Sequence, residues 1–128
     1  GLRVLQRGHG KLRRQLRAAL REGIVLLHKG APSEIMGPDG LLYTVAGGHP
    51  AMARGGTGDV LTGLLGALLA QAPDRPLDMA RLGAWLHAEA GCLAAQRLGR
   101  GLCAGDLEGW VPEAWRELAG EARDLWQW

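Results

Sequence analysis

The chain has 128 residues, 47% of them hydrophobic, and a formal charge of only +2. That is enough apolar matter for one domain with a core and too much for a disordered chain. No run of about 18 apolar residues occurs, so no membrane partner is expected. The start lacks the apolar centre of a signal peptide, which makes a cytoplasmic setting the expectation.

Six arginines lie between Arg3 and Arg21, interleaved with Leu12, Leu16, Ala19 and Leu20 at helical spacing. This predicts a helix over Lys11–Glu22 with a solvated basic face, stopped at Gly23. No aromatic platform accompanies the charge, so nucleic acid is not an expected partner. Ile24–His28 is a continuous apolar run of strand length, suited to a strand covered on both faces. Lys29-Gly30-Ala31-Pro32-Ser33 breaks it. Glu34–Met36 and Leu41–Val45 flank Gly37-Pro38-Asp39-Gly40, a tight-turn sequence, and read as a β-hairpin. Ala46–Gly58 reads as a glycine-rich loop. The segment Val60–Gln71 is apolar on nearly every side, with small residues Gly63, Gly66, Ala67 and Ala70 recurring along it, and is expected to be the buried central helix. Asp78 is expected to cap a helix over Met79–Leu98, with Leu82, Leu86, Ala90 and Leu93 on one face and Gly99–Gly101 at its end. Asp106 caps a further turn, Pro112 opens a helix through Ala119, and Glu121–Trp128 is a tail.

The two cysteines, Cys92 and Cys103, form neither a CxxC pair nor a Cys/His cluster, so no metal ligand set is predicted. The five tryptophans cluster late in the chain and read as packing residues. Helix, buried strand, hairpin and further helices define an α/β class. The strands are too few to cover a wholly buried Val60–Gln71, so the chain is expected to be part of a larger sheet.

The chemistry concentrates in Gly55-Gly56-Thr57-Gly58-Asp59. A glycine-rich turn entering a helix presents free backbone N–H groups and the positive end of the helix dipole, an arrangement that attracts phosphate. A carboxylate there would repel phosphate unless it serves another purpose, such as accepting the proton of a hydroxyl that attacks that phosphate. The bland alternative is a helix start with an aspartate in a favoured place. The spacing is neither that of a Walker A loop nor GxGxxG.

Taken in order, the strand ending in Lys29–Ser33, the hairpin and Gly48-His49-Pro50-Ala51-Met52-Ala53-Arg54-Gly55-Gly56-Thr57-Gly58-Asp59-Val60-Leu61-Thr62-Gly63 resemble the ADP/ATP-dependent NAD(P)H-hydrate dehydratases. Trp85-Leu86-His87-Ala88-Glu89-Ala90-Gly91 and Gly101-Leu102-Cys103-Ala104-Gly105-Asp106-Leu107 resemble later segments of the same family. The resemblance implies a ribokinase-like fold, a parallel-rich sheet flanked by helices, of which residues 1–120 would be the C-terminal half of one domain and 121–128 a tail. It implies that ADP or ATP, with Mg2+, phosphorylates the ring hydroxyl of hydrated NADH or NADPH, and that loss of phosphate restores the double bond. Asp59 would be the base, Gly56, Thr57 and Gly58 the anion hole, and Lys29, Gly30, Ala31, Pro32, Ser33 and Gly58 the nucleotide contacts. His49 and Asp59 would meet the substrate. A homo-oligomer, or association with an N-terminal half, is expected.

Four positions depart from the family pattern. His49 and Ala51 stand where the family has Asn and Gly, Arg54 replaces a small residue, and Cys92 stands where Asp is usual. Two other functions stay open: an adenine-nucleotide-binding fragment without catalysis, and a related small-molecule kinase.

Overall fold

The computed structural model describes residues 2–5, 14 and 21–126, with backbone alone for 2–5 and 122–126. The predicted basic helix over Lys11–Glu22 lies largely outside the described residues, of which Arg14 and Arg21 are helical and exposed. Strands β1 (Leu2–Leu5), β2 (Val25–His28), β3 (Ser33–Met36) and β4 (Leu42–Val45) form a four-stranded sheet in the order β1-β2-β3-β4. β1 runs parallel to β2, with Leu2 opposite Val25, whereas β2–β3 and β3–β4 are antiparallel. Among the described residues the sheet is therefore mixed rather than parallel-rich. The physical reason is connection length: Lys29–Pro32 and Gly37–Leu41 are hairpin-sized links, which join only antiparallel neighbours. The second link is a hydrogen-bonded turn, Gly40 N–H to the Gly37 carbonyl at 3.0 Å.

Helices α1 (Thr57–Gln71), α2 (Pro76–Leu98) and α3 (Asp106–Trp126) follow. Val25, Leu27 and Ile35 of the sheet pack with Leu61 and Leu65 of α1 and Ala80 and Ala84 of α2. A second cluster joins Leu68, Leu86, Ala90 and Ala114, and a third joins Ala94, Ala95, Leu102 and Leu107. α2 appears in all three, and it is the central helix, not α1. Only Thr57, Leu61, Leu65 and Leu68 of α1 are buried, while Gly63, Gly66, Ala67 and Ala70 are exposed. The close helix approach instead uses the small residues of α2: a Cβ on Gly83 would lie 2.5 Å from Leu65 Cδ2.

Three boundaries move from expectation. α2 begins at Pro76 with Arg75 as its N-cap, which puts Asp78 inside the first turn, where its carboxylate meets Arg75 at 2.9 Å instead of capping. Pro112 lies inside α3 rather than opening a helix, which removes one intrahelical hydrogen bond. The segment expected as a tail from Glu121 continues α3 to Trp126. Among the helices of the described residues none is long and apolar enough to cross a membrane.

Candidate active site at the start of α1

Gly56 is the N-cap of α1, with φ 92°. A left-handed backbone here favours glycine, and the loop after α2 adds a second demand: a Cβ on Gly56 would come within 3.0 Å of Ala104 Cβ. The Gly56 carbonyl accepts from both Asp59 N–H (3.0 Å) and Val60 N–H (3.2 Å). The N–H groups of Gly56, Thr57 and Gly58 have no protein acceptor among the described residues. They are the free donors of a helix start.

Lys29, at the end of β2, reaches this helix end. A Cβ placed on Gly58 would lie 2.9 Å from Lys29 Nζ and 3.6 Å from its Cε. Lys29 is half-buried and forms no ion pair among the described residues. An ammonium thus lies beside the first turn of a helix whose leading N–H groups are free, and both favour an anion there. Asp59, one residue further along α1, is exposed. It lines a groove of about 420 Å³ with Val60, Gly63, Leu64, Glu108 and Val111. A second depression, at Tyr43–Ala46, Arg81 and Trp85, shares no residue with it.

The loop after β2 is held from within. Ser33 Oγ donates to the Gly30 carbonyl (3.1 Å) and accepts from Gly30 N–H (3.4 Å), and the Ala31–Pro32 peptide is cis. His49 is exposed and caps the short turn Pro50–Met52, with Nδ1 accepting from Ala51 N–H at 3.1 Å. The imidazole thus performs the acceptor role open to an asparagine side chain at this position. His49 makes no hydrogen bond to Gly56–Asp59 among the described residues. The structure therefore brings Lys29 to the Gly56–Gly58 helix start, turns Asp59, next in the chain, onto a groove lined by other residues, and leaves Ser33 and His49 engaged in their own turns.

Two residues named in the sequence, but given no role in the site there, contribute to it. Arg54 Nη2 donates to the Arg100 carbonyl at 2.6 Å and Thr57 Oγ1 donates to the Arg54 carbonyl at 3.1 Å, tying the turn before α1 to the loop after α2. His87 of α2 is buried, with Nε2 2.8 Å from the Thr57 carbonyl. Burial lowers its pKa below 6.5; the Thr57 bond opposes the shift and Lys29 reinforces it. Glycine patterning marks the turn, but a single histidine within an apolar helix carries no signal of its partner.

Similar folds occur in Bacillus subtilis YxkO, with a TM-score of 0.74 and 25% identity over 91% of this chain and 48% of that one. A ribokinase-like superfamily protein of Enterococcus faecalis matches with a TM-score of 0.69. The fold is thus similar to that of ribokinase-like proteins. The family model described as NAD(P)H-hydrate dehydratase matches residues 3–113, and the chain belongs to that family. The bifunctional NAD(P)H-hydrate repair enzyme Nnr of Moorella thermoacetica is 44% identical over 102 residues, 79% of this chain and 19% of that protein. The ADP/ATP-dependent NAD(P)H-hydrate dehydratase of Bacillus subtilis, co-crystallized with ATP/Mg2+, matches with a TM-score of 0.70 and 29% identity over 85% of this chain and 39% of that one. The chain thus spans less than half the length of each of these relatives for which a share is given.

Proposed function

We propose that this chain supplies the phosphate-binding helix start and the general base of an ADP- or ATP-dependent dehydratase acting on hydrated NADH and NADPH. The observation that carries the reading is the meeting of Lys29 with the free N–H groups at the start of α1, one residue before an exposed carboxylate. Lys29 and the Gly56–Gly58 amides bind the terminal phosphate and disperse charge as it is transferred. Asp59 accepts the proton of the ring hydroxyl as its oxygen bonds to phosphorus and the bridging P–O bond breaks. Departure of phosphate, with loss of a proton from the neighbouring ring carbon to water, then restores the ring double bond. Gly30–Ser33 contact the nucleotide beside Lys29, and His49 borders the substrate. Magnesium would come with the nucleotide and neutralise its phosphates; no group of three or more His, Cys, Asp or Glu side chains that could hold a metal ion occurs among the described residues.

The parallel β1–β2 pair supports a fuller ribokinase-like sheet of which these strands form a margin, with residues 1–120 belonging to one domain. The uncovered outer face of α1 supports association with a second copy or with further polypeptide of the family domain. It equally favours a second reading, nucleotide binding without turnover.

The deciding experiment supplies ADP, magnesium and hydrated NADH to the chain and follows NADH recovery and phosphate release. Both rising together supports the dehydratase. A stable phosphorylated product points to a small-molecule kinase. ADP binding without turnover supports the second reading, and absence of ADP binding overturns the site.

A further inference from the structure

We infer that His87 is a positioning residue for the anion hole: its Nε2–H, donated to the Thr57 carbonyl, holds the first turn of α1 in register with Lys29. This rests on the reading of that helix start as the phosphate site. A carbonyl only accepts, so the 2.8 Å contact fixes the proton on Nε2. His87 is 8% exposed and Thr57 4% exposed, so the bond is made away from solvent. The other tethers of this turn, Thr57 Oγ1 to the Arg54 carbonyl and Arg54 to the Arg100 carbonyl, lie nearer the surface.

The geometry makes the bond matter for binding. Helix starts fray because their first N–H groups lack intrahelical partners. Here those same groups are the binding donors, so their direction depends on what fixes the backbone at Thr57. Lys29 approaches from the residue just after β2, Thr57 and Gly58 stand on α1, and His87 reaches in from α2. His87 is thus the link between the central helix and the helix start that Lys29 faces. Sparse hydrogen bonding would leave the donors mobile, and binding would then have to supply their ordering.

The test uses the full chain with His87→Leu, which keeps bulk and loses the donor, and His87→Gln, whose amide N–H reaches the same carbonyl. ADP affinity is measured by calorimetry, and amide hydrogen exchange is followed across residues 57–61. The expected result is a loss of roughly tenfold or more in ADP affinity and faster exchange for His87→Leu, and near wild-type values for His87→Gln, in keeping with a buried hydrogen bond. Should His87→Leu fail to fold, His87→Asn, whose amide falls short of Thr57, replaces it. Equal behaviour of the donor and non-donor variants overturns the inference. If the wild-type chain binds no ADP, the phosphate-site reading fails, and the exchange comparison alone decides whether His87 holds the turn.

Discussion

An aspartate in the first turn of a helix gains a few tenths of a kcal/mol from the dipole, but Asp59 forms no side-chain hydrogen bond among the described residues and opens onto a groove. Its carboxylate has no ion-pair partner among the described residues. Under the proposed mechanism Asp59→Asn keeps the shape and removes the base, so turnover should fall by about 10²–10⁴ while ADP affinity stays near wild type; steady-state rates paired with calorimetry check this, and full turnover in the variant would remove Asp59 from the mechanism. Gly58→Val acts differently. Gly58 lies within the helix, not in the left-handed region, so its importance is space: the new Cβ would lie 2.9 Å from Lys29 Nζ and push the ammonium off the helix start. ADP affinity should drop while the fold persists, and unchanged affinity in a folded variant would refute the shared site. Asp59 and the glycines were legible in the sequence because helix-start chemistry is local. The partnership of Lys29 with Gly58, across 29 residues of chain, and that of His87 with Thr57 were not, because tertiary packing alone creates them.

The strands and the hairpin turn were readable from apolar runs and turn residues, within a residue or two of their ends. The assignment of the central helix was not. Composition ranks α1 as the more apolar helix, yet α2 holds the centre because alanine and glycine on its inner face admit Leu65 and Leu68 of α1. Apolar content measures the wish to be buried, and side-chain size decides which helix can be approached. Gly91 shows the same control. A Cβ there would collide with the Met52 thioether, the side chain that closes the short turn carrying His49. Gly91→Ala should therefore destabilise by about 1–3 kcal/mol through overpacking, read as a lower midpoint in urea; an unchanged midpoint would mean that Met52 moves aside freely. Between α2 and α3, Glu89 titrates above its usual range. Burial is the main cause, followed by a hydrogen bond and charge from Glu117 and then the charge of Glu121. The folded state thus holds this proton more tightly than the unfolded one. The associated stability is complete below 4.5 and is lost as pH rises through the higher folded value. At neutral pH the carboxylates repel, so Glu117→Gln should stabilise there by about 0.5 kcal/mol or less, and the gain should vanish near pH 4. A gain that persists in acid would point to packing instead of charge.

At the scale of the whole molecule, two apolar surfaces stand uncovered among the described residues. One is the outer face of α1, where Gly63, Gly66, Ala67 and Ala70 lie exposed. The other is the β4 margin, a strand hydrogen-bonded on one side only, where Leu42 is 56% exposed and Leu41, just before the strand, 58%. An uncharged edge strand is a template for pairing, and apolar patches beyond a few hundred Å² seldom persist on monomers. The small residues on α1 also let a second backbone approach closely, which a face of large side chains would prevent. The chain should therefore self-associate at micromolar concentration, or remain bound to another polypeptide that covers these surfaces. A symmetric dimer would use the same patch on both copies. Sedimentation velocity on the wild type, Ala67→Glu and Leu42→Lys separates the two surfaces. Loss of the larger species in Ala67→Glu alone assigns association to the helix face, and loss in Leu42→Lys alone assigns it to the strand edge. A folded wild-type monomer with no bound partner would show that neither surface drives assembly, and that the exposed face of α1 is stable in water as it stands.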